Sequence, residues 1–216
     1  LLDFKGMQLV LRELITEYPR AKYMLNLAAV YSELDDTVAQ TTLMESLYES
    51  GHLQKENQLV NLANLYMLHK VPYKAAVLLE ESMVSELVES NERNFVYLAQ
   101  AWQLAGNIGK AIEPLKNAAS LAEDGNTYVR LAQLHISQSQ WRDAEKALSM
   151  ALDKGELKNK PNVYLLLGMS RFNQKHFDDA RTAFQTAGKD EKMSRLASQW
   201  INYARSEQEK YDILKK

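Results

Sequence analysis

Residues 131–151, LAQLHISQSQWRDAEKALSMA, carry the pattern that decides the fold. Leu131 is followed by a small residue, Ala132, and then, three positions on, by a ring, His135. Thirteen residues after the leucine stands Ala144, with a large apolar residue, Leu148, and a second small one, Ala151, four and seven positions beyond it. Small, large and small residues at i, i+4 and i+7 share one stripe of a helix. Small side chains on such a stripe let two helix backbones approach closely, where a bulkier residue would hold them apart. The segment predicts a helix, a tight turn and a second helix packed antiparallel on the first.

The same landmarks recur in both directions. Leu27-Ala28-x-x-Tyr31, Leu62-Ala63-x-x-Tyr66 and Leu98-Ala99-x-x-Trp102 precede the segment, and Leu167-Gly168 follows it with Arg171 in the ring slot and Phe172 next door. The leucines are spaced by 35, 36, 33 and 36 residues. The second-helix alanine returns as Ala75, Ala111 and Ala180, the large residue as Leu79, Leu115 and Phe184, and the closing small residue as Ser82, Ala118 and Ala187. In the Leu27 copy the alanine slot holds Gln40, with Ala39 beside it, which makes that unit the weakest match. Trp141 and Phe177, three residues before their alanines, fill gaps left by the small residues. One hairpin cannot bury both faces, so the units must stack.

This pattern resembles the tetratricopeptide repeat family, whose unit is about thirty-four residues long. The resemblance runs from about Leu2 to Gly188 and implies an all-α fold, an α-α superhelix of antiparallel helix hairpins. On that frame residues 1–20 are the second helix of a truncated repeat, with Phe4, Met7, Leu11 and Leu14 on one face and Pro19 closing it. Five units follow at about 21–55, 56–91, 92–124, 125–160 and 161–188, and residues 189–216 form a capping helix and tail. The first-helix aromatic is present as Phe95, Tyr128 and Tyr164 but becomes Met24 and Leu59 in the first two units. Gly106-Asn107 suits a turn at positive φ, and Pro72 and Pro161 suit helix starts. Pro114 lies inside a predicted second helix, where a kink is expected. In the cap, Met193, Leu196, Ala197, Trp200, Ile201 and Ala204 are expected on the inner stripe, and Glu207–Lys210 read as polar all round.

Composition narrows the function. Charged residues make up 25% and apolar ones 46%, with a net charge of -2, a poor balance for docking on a phosphate backbone. Nucleic acid is therefore not an expected partner. No run approaches eighteen apolar residues, so no direct membrane insertion is expected. The absence of cysteine removes disulfides, thiolate metal sites and cysteine nucleophiles. His52, His69, His135 and His176 lie in different units without an i,i+4 pair, and His135 reads as a packed core residue. Acidic neighbours such as Asp35-Asp36, Glu80-Glu81 and Asp178-Asp179 read as helix-start charge. No phosphate-cradling glycine loop or nucleophile elbow is present. No enzyme, cofactor or metal is expected. The chain begins at Leu1 rather than methionine, which predicts an upstream segment.

What remains is a surface. In stacked hairpins of the resembled family the first helices line the concave face. Residues five before, one before and two after each landmark leucine stand together there: Asn57, Asn61 and Asn64; Arg93, Tyr97 and Gln100; Asn126, Arg130 and Gln133. The first unit contributes Lys22, Asn26 and Ala29, and the fifth Asn162, Leu166 and Met169, with Phe172 and Asn173 one turn on. Amides offer both donors and acceptors to an extended main chain. Arg93 and Arg130 suit a carboxylate or acidic side chain. Leu166, Met169 and Phe172 suit an apolar anchor. The expected function is a scaffold binding a protein or peptide segment along a floor roughly 40 Å long, enough for about twelve extended residues. The family's carboxylate clamp wants two lysines, two asparagines and an arginine over three units. Asn61 and Arg130 match loosely and the lysines do not, so clamp-type binding is not expected.

Two alternatives stand beside this reading. One is a structural or accessory part of a larger assembly, with self-association through the exposed edge at Phe4, Met7 and Leu11 or through Trp200 and Tyr203. The other follows from the closing segment, Ala197-x-x-Trp200-Ile201-x-Tyr203-Ala204. It is similar to the end of tetratricopeptide proteins encoded beside TonB-type energy-transduction genes in Gram-negative bacteria. That resemblance implies a periplasmic protein of a bacterial uptake system, with a cytoplasmic location as the alternative.

Overall fold

The computed structural model describes residues 3–214, so the first two and last two residues of the terminal segments lie outside it. Twelve α-helices and no strand occur among the described residues: α1 Phe4–Glu17, α2 Ala21–Glu33, α3 Thr37–Glu49, α4 Glu56–Leu68, α5 Pro72–Val84 and α6 Glu92–Leu104. They continue as α7 Ile108–Leu121, α8 Asn126–Ser137, α9 Trp141–Lys154, α10 Lys160–Asn173, α11 Phe177–Ala187 and α12 Glu191–Leu214. Among the described residues no helix is long and apolar enough to cross a membrane. The helices fall into two compact units. One runs to Ser90 and includes Gln100–Asn107; the other holds Asn91–Ala99 and the chain from Ile108 onward, so the division passes through α6.

Within the first unit α1 packs on α2, α2 pairs with α3, α3 touches α4, and α4 pairs with α5. Its core is Leu27, Ala28, Leu47, Leu59, Leu62, Ala63, Ala75 and Leu79, all buried. Tyr73 meets the buried ring of Trp102 edge-on, with centroids 5.6 Å apart. Within the second unit α7 packs on α8, α8 pairs with α9, α9 meets α10, α10 pairs with α11, and α11 carries α12. There Ala144, Leu148, Ala151, Ala180, Phe184 and Ala187 are all 0% exposed, as the close-approach argument requires. Pro114 is buried inside α7, which continues past it to Leu121.

The ring slot departs from its pattern twice, each time with a visible cause. Arg171 turns to Glu145 of α9, its Nε donating to the carboxylate at 2.8 Å, and Gln174 donates to the other oxygen at 2.7 Å. An ion pair thus replaces the ring. His135 is not the packed core residue expected from its slot. It is half-buried and its Nδ1 sits 2.7 Å from Gln140 Oε1, because a polar ring finds a partner at the turn more cheaply than inside.

The turns between paired helices share one backbone solution. Asp35, Lys70, Gly106, Ser139 and Lys175 all have positive φ, between 55° and 75°, at the spacing of the landmark leucines. The next N–H in each case returns to the ring-slot carbonyl: Asp36 to Tyr31, Val71 to Tyr66, Asn107 to Trp102, Gln140 to His135 and His176 to Arg171, at 2.9–3.0 Å. That closes the helix in a Schellman motif. Only Gly106 occupies the left-handed region without a Cβ penalty. Glycine at Asp35, Lys70, Ser139 and Lys175 is therefore expected to stabilise by about 0.5–1 kcal/mol per site, and Gly106→Ala to cost a similar amount. Thermal melts check this, and a fall in Tm for the glycine variants would show that side-chain contacts outweigh backbone strain.

The terminal helix corrects two expectations. Leu196 is 40% exposed, whereas Met193, Ala197, Trp200 and Ala204 face the last hairpin. At about 100° per residue, position 196 falls off a stripe that runs 193, 197, 200 and 204. The same stripe reaches 208 and 211, so the final turns are not polar all round. Gln208 accepts from Arg181 of α11, and the Tyr211 ring meets Phe177 with centroids 5.9 Å apart.

Candidate functional site

In the first unit the face formed by α2 and α4 carries two adjoining clefts. The first, about 780 Å³, lies between Phe4, Met7, Val10 and Leu11 of α1 and Asn26, Ala29, Val30 and Glu33 of α2. α1 buries no residue fully, and Met7 and Val10 remain 43% and 64% exposed, so the apolar wall of this cleft is open to solvent. The second cleft, about 460 Å³, shares Ala29 and Glu33 and continues onto Asn57, Gln58 and Asn61 of α4. Asn57 and Asn61 are exposed and make no hydrogen bond to another described residue. Asn64 is exposed on the same helix, outside both clefts, and already has a partner. Gln100, also exposed, belongs to this unit by sequence position 100–107.

The floor of the second cleft is Gln40. It is 5% exposed, and no hydrogen bond to its side-chain amide exists among the described residues. Its slot is filled elsewhere by Ala75, Ala111, Ala144 and Ala180, each 0% exposed. The residue as a whole is buried, but its amide oxygen and nitrogen keep some contact with solvent through the cleft. Sequence reading treated Gln40 only as a weak match; the signal that marks it is a polar residue in a slot otherwise reserved for alanine.

In the second unit Arg93, Arg130 and Gln133 are exposed, and neither arginine has a partner among the described residues. α6 and α8 are neighbours there, as the Thr127 hydroxyl donates to Glu92 at 3.4 Å. Tyr97 is half-buried, and burial pushes its phenol up to about 12. It therefore stays neutral at physiological pH. Two expected contact residues are taken by the chain itself. The Asn126 amide donates to the Glu156 carbonyl at 3.1 Å and accepts from the Lys158 N–H at 3.0 Å, pinning the loop before α10. Met169 packs beside Phe172 against the core that α12 covers, because Trp200 lies 5.7 Å from the Phe172 ring. The apolar end expected at Met169 and Phe172 is thus occupied by the terminal helix.

The histidines have local roles. His52 meets Ser50 Oγ at 2.9 Å, His69 approaches the Thr37 carbonyl at 3.2 Å, and His176 precedes α11 as its N-cap. No group of three or more metal-ligating side chains comes together among the described residues.

No protein-family model matches the chain, and no curated protein does. Solved structures are similar throughout. YrrB, described as a TPR protein with an unusual peptide-binding site, aligns over 88% of this chain and 97% of its own at 13% identity, with a TM-score of 0.61. The C-terminal part of a TPR repeat-containing protein from Cytophaga hutchinsonii aligns over 94% of this chain and 85% of its own at 14% identity, TM-score 0.61. MamA aligns over 77% of this chain and 88% of its own at 17% identity, TM-score 0.59. The chain has the tetratricopeptide-repeat fold.

Within the tetratricopeptide-repeat frame, the first-helix face comprises Asn26 and Ala29 of α2 and Asn57 and Asn61 of α4, and the α1–α2 and α2–α4 clefts bring these together. Sequence reasoning placed α1 at an exposed edge but missed its part as the apolar wall of a cleft. Val10, absent from the expected apolar face, is the residue that shows it.

Proposed function

We propose that this chain is a non-catalytic scaffold that holds a segment of a protein partner against its first helices. The observation that carries the reading is the pair of adjoining clefts in the first unit, with unpartnered Asn57 and Asn61 along one rim and an apolar wall at the other end. In the second unit, exposed Arg93 and Arg130 supply guanidinium groups suited to an acidic side chain. The similar structure YrrB is described as having a peptide-binding site, which accords with the reading. Three of the four histidines, His52, His69 and His135, hold local polar contacts, which favours structure over catalysis.

A second role, as an accessory part of an assembly, is favoured by exposed Met7, Leu9 and Val10 on α1. The TonB-linked periplasmic reading draws on Ala197, Trp200 and Ala204, whose spacing is accounted for by packing on the last hairpin.

The test is selection of peptides from a displayed random dodecamer library on the wild-type chain. Replacing Asn57, Asn61, Arg93 and Arg130 by alanine should weaken the selected peptides at least tenfold, about 1.4 kcal/mol. Tm should hold, because none of the four side chains has a partner among the described residues and alanine is the better helix former. Equal binding by the quadruple variant would remove this face from the function.

A further inference from the structure

We infer that Gln40 is a recognition residue, and that the clefts it joins select an internal, extended peptide segment carrying one apolar and one basic side chain. The inference rests on the peptide-binding reading above and names the chemistry of its ligand.

Gln40 breaks the repeat at the position where the repeat is strictest. The four equivalent residues are buried alanines, yet Gln40 is buried too, and its amide opens to the cleft without a partner in the described chain. A residue kept for packing alone would be small and apolar there. Local rules of this kind are broken chiefly at functional sites. The amide borders the same cleft as Asn57, Gln58 and Asn61. Of these four carboxamides Gln58 already accepts from the Lys55 N–H, which leaves three unpartnered among the described residues. Each offers a carbonyl oxygen and an NH₂ group, the complement of a main-chain N–H and C=O. An extended segment presents both at every residue, whatever its side chains.

The walls define the rest. Phe4, Met7, Val10 and Val30 make the adjoining cleft apolar, a seat for one Leu- or Phe-sized side chain. Among the described residues the ionisable ones bordering the two clefts are Asp3 and Glu33, with no lysine, arginine or histidine at either. Asp3 accepts from the Gly6 N–H at 2.9 Å as the cap of α1, whereas Glu33 stands exposed where the clefts meet. A C-terminal carboxylate or acidic segment meets like charge here. A lysine or arginine beside the apolar anchor meets Glu33.

Capped decapeptide pools provide the test, with fluorescence anisotropy as the readout. The first pool carries one Leu and one Lys in a background of Ser, Ala and Asn; the second replaces Lys by Glu; the third replaces Leu by Ser. The first should bind wild type at least tenfold tighter than the other two, and at least tenfold tighter than it binds Gln40→Ala. Gln40→Ala should melt at or above the wild-type temperature, since it restores the repeat residue. Gln40→Met keeps the volume without the amide, and it should also lose binding, which covers the case in which alanine disturbs the fold. Equal binding of the first pool by wild type and both Gln40 variants, with binding lost in Asn57→Ala/Asn61→Ala, would overturn the role of Gln40 while leaving the groove in place. Failure of all pools to bind wild type would remove the groove reading as well. Sedimentation of wild type as a dimer that Met7→Ser/Val10→Ser converts to monomer, with no response to peptide, would assign the apolar cleft to a second copy and overturn the inference.

Discussion

Leucine in place of Gly168 is expected to unravel the fifth hairpin. A Cβ built on Gly168 falls 2.4 Å from Cε1 and 2.5 Å from Cδ1 of Phe184. That ring has nowhere to retreat: Phe184 is 0% exposed and stacks on Trp200 with centroids 5.5 Å apart. Accommodating a leucine means pushing α10 away from α11 or driving Phe184 into the cap. Overpacking of this kind costs typically about 1–3 kcal/mol, and a four-carbon insertion against an enclosed ring belongs at the upper end. Helix propensity returns about 1 kcal/mol on losing the glycine, so a net loss near 2 kcal/mol is expected. Gly168→Ala sets one methyl against the same propensity gain and should fall between wild type and leucine. Urea titration measures the total. Hydrogen exchange locates it, because repeat stability is a sum of nearest-neighbour terms and the damage should appear first in α10 and α11. An unchanged midpoint for Gly168→Leu would mean that these two helices do not approach as closely as described.

Gly168 also shows why the hairpins were legible in the sequence. Size alone marks the close approaches: Ala63, Ala99, Ala132 and Gly168 on first helices, Ala75, Ala111, Ala144 and Ala180 on second helices. Steric exclusion leaves few residues tolerable at such points, so the chemistry is written directly in residue type. Conformation imposed by the repeat leaves no such mark. Lys70, Ser139 and Lys175 adopt the same left-handed turn as Gly106, yet none is a residue that announces it; Asp35, a type that tolerates this region, is the partial exception. Their backbone is determined by the helices on either side.

The surface was read less completely for a related reason. Spacing places Asn126 in the same row as Asn57, but spacing does not report that residues 156–158 fold back onto its amide. Nor does it report that α12 covers Met169, because docking of the cap depends on contacts made far along the chain. Asn57 and Asn61 kept their expected exposure because no described residue hydrogen-bonds to their side chains. Gln40 needed the structure for a different reason. A polar residue at an alanine slot reads as sequence drift until its place on the floor of a cleft is seen.

The largest single loss outside the hairpins is expected from Trp200→Ala. α12 is 24 residues long, yet only Ala197 and Ala204 of its described residues are fully buried, so its attachment rests on larger, half-buried side chains. Trp200 is the central one. It stacks on Phe184 with an interplanar angle of 22°, meets Phe172 edge-on at 5.7 Å and lies beside Tyr203 at 5.9 Å. Tryptophan truncation in a full core costs about 3–5 kcal/mol, and a half-buried ring with two such partners belongs near 3 kcal/mol. The polar contacts further along, Gln208 with Arg181 and Asp178 of α11, are too few and too close to solvent to hold the helix alone. A terminal element also has one neighbour where an internal unit has two, so a local loss there is not shared. Released from the hairpin, the polar helix has little intrinsic stability, since tertiary packing of its apolar stripe supplies most of it. Trp200→Ala should therefore free residues 191–214 to exchange, and expose Phe172, Phe184 and Met169 to a hydrophobic dye. Trp200→Phe keeps a stacked ring and should retain most of the protection. Wild-type exchange rates along α12 in the alanine variant would show that the helix is held by something other than this aromatic stack.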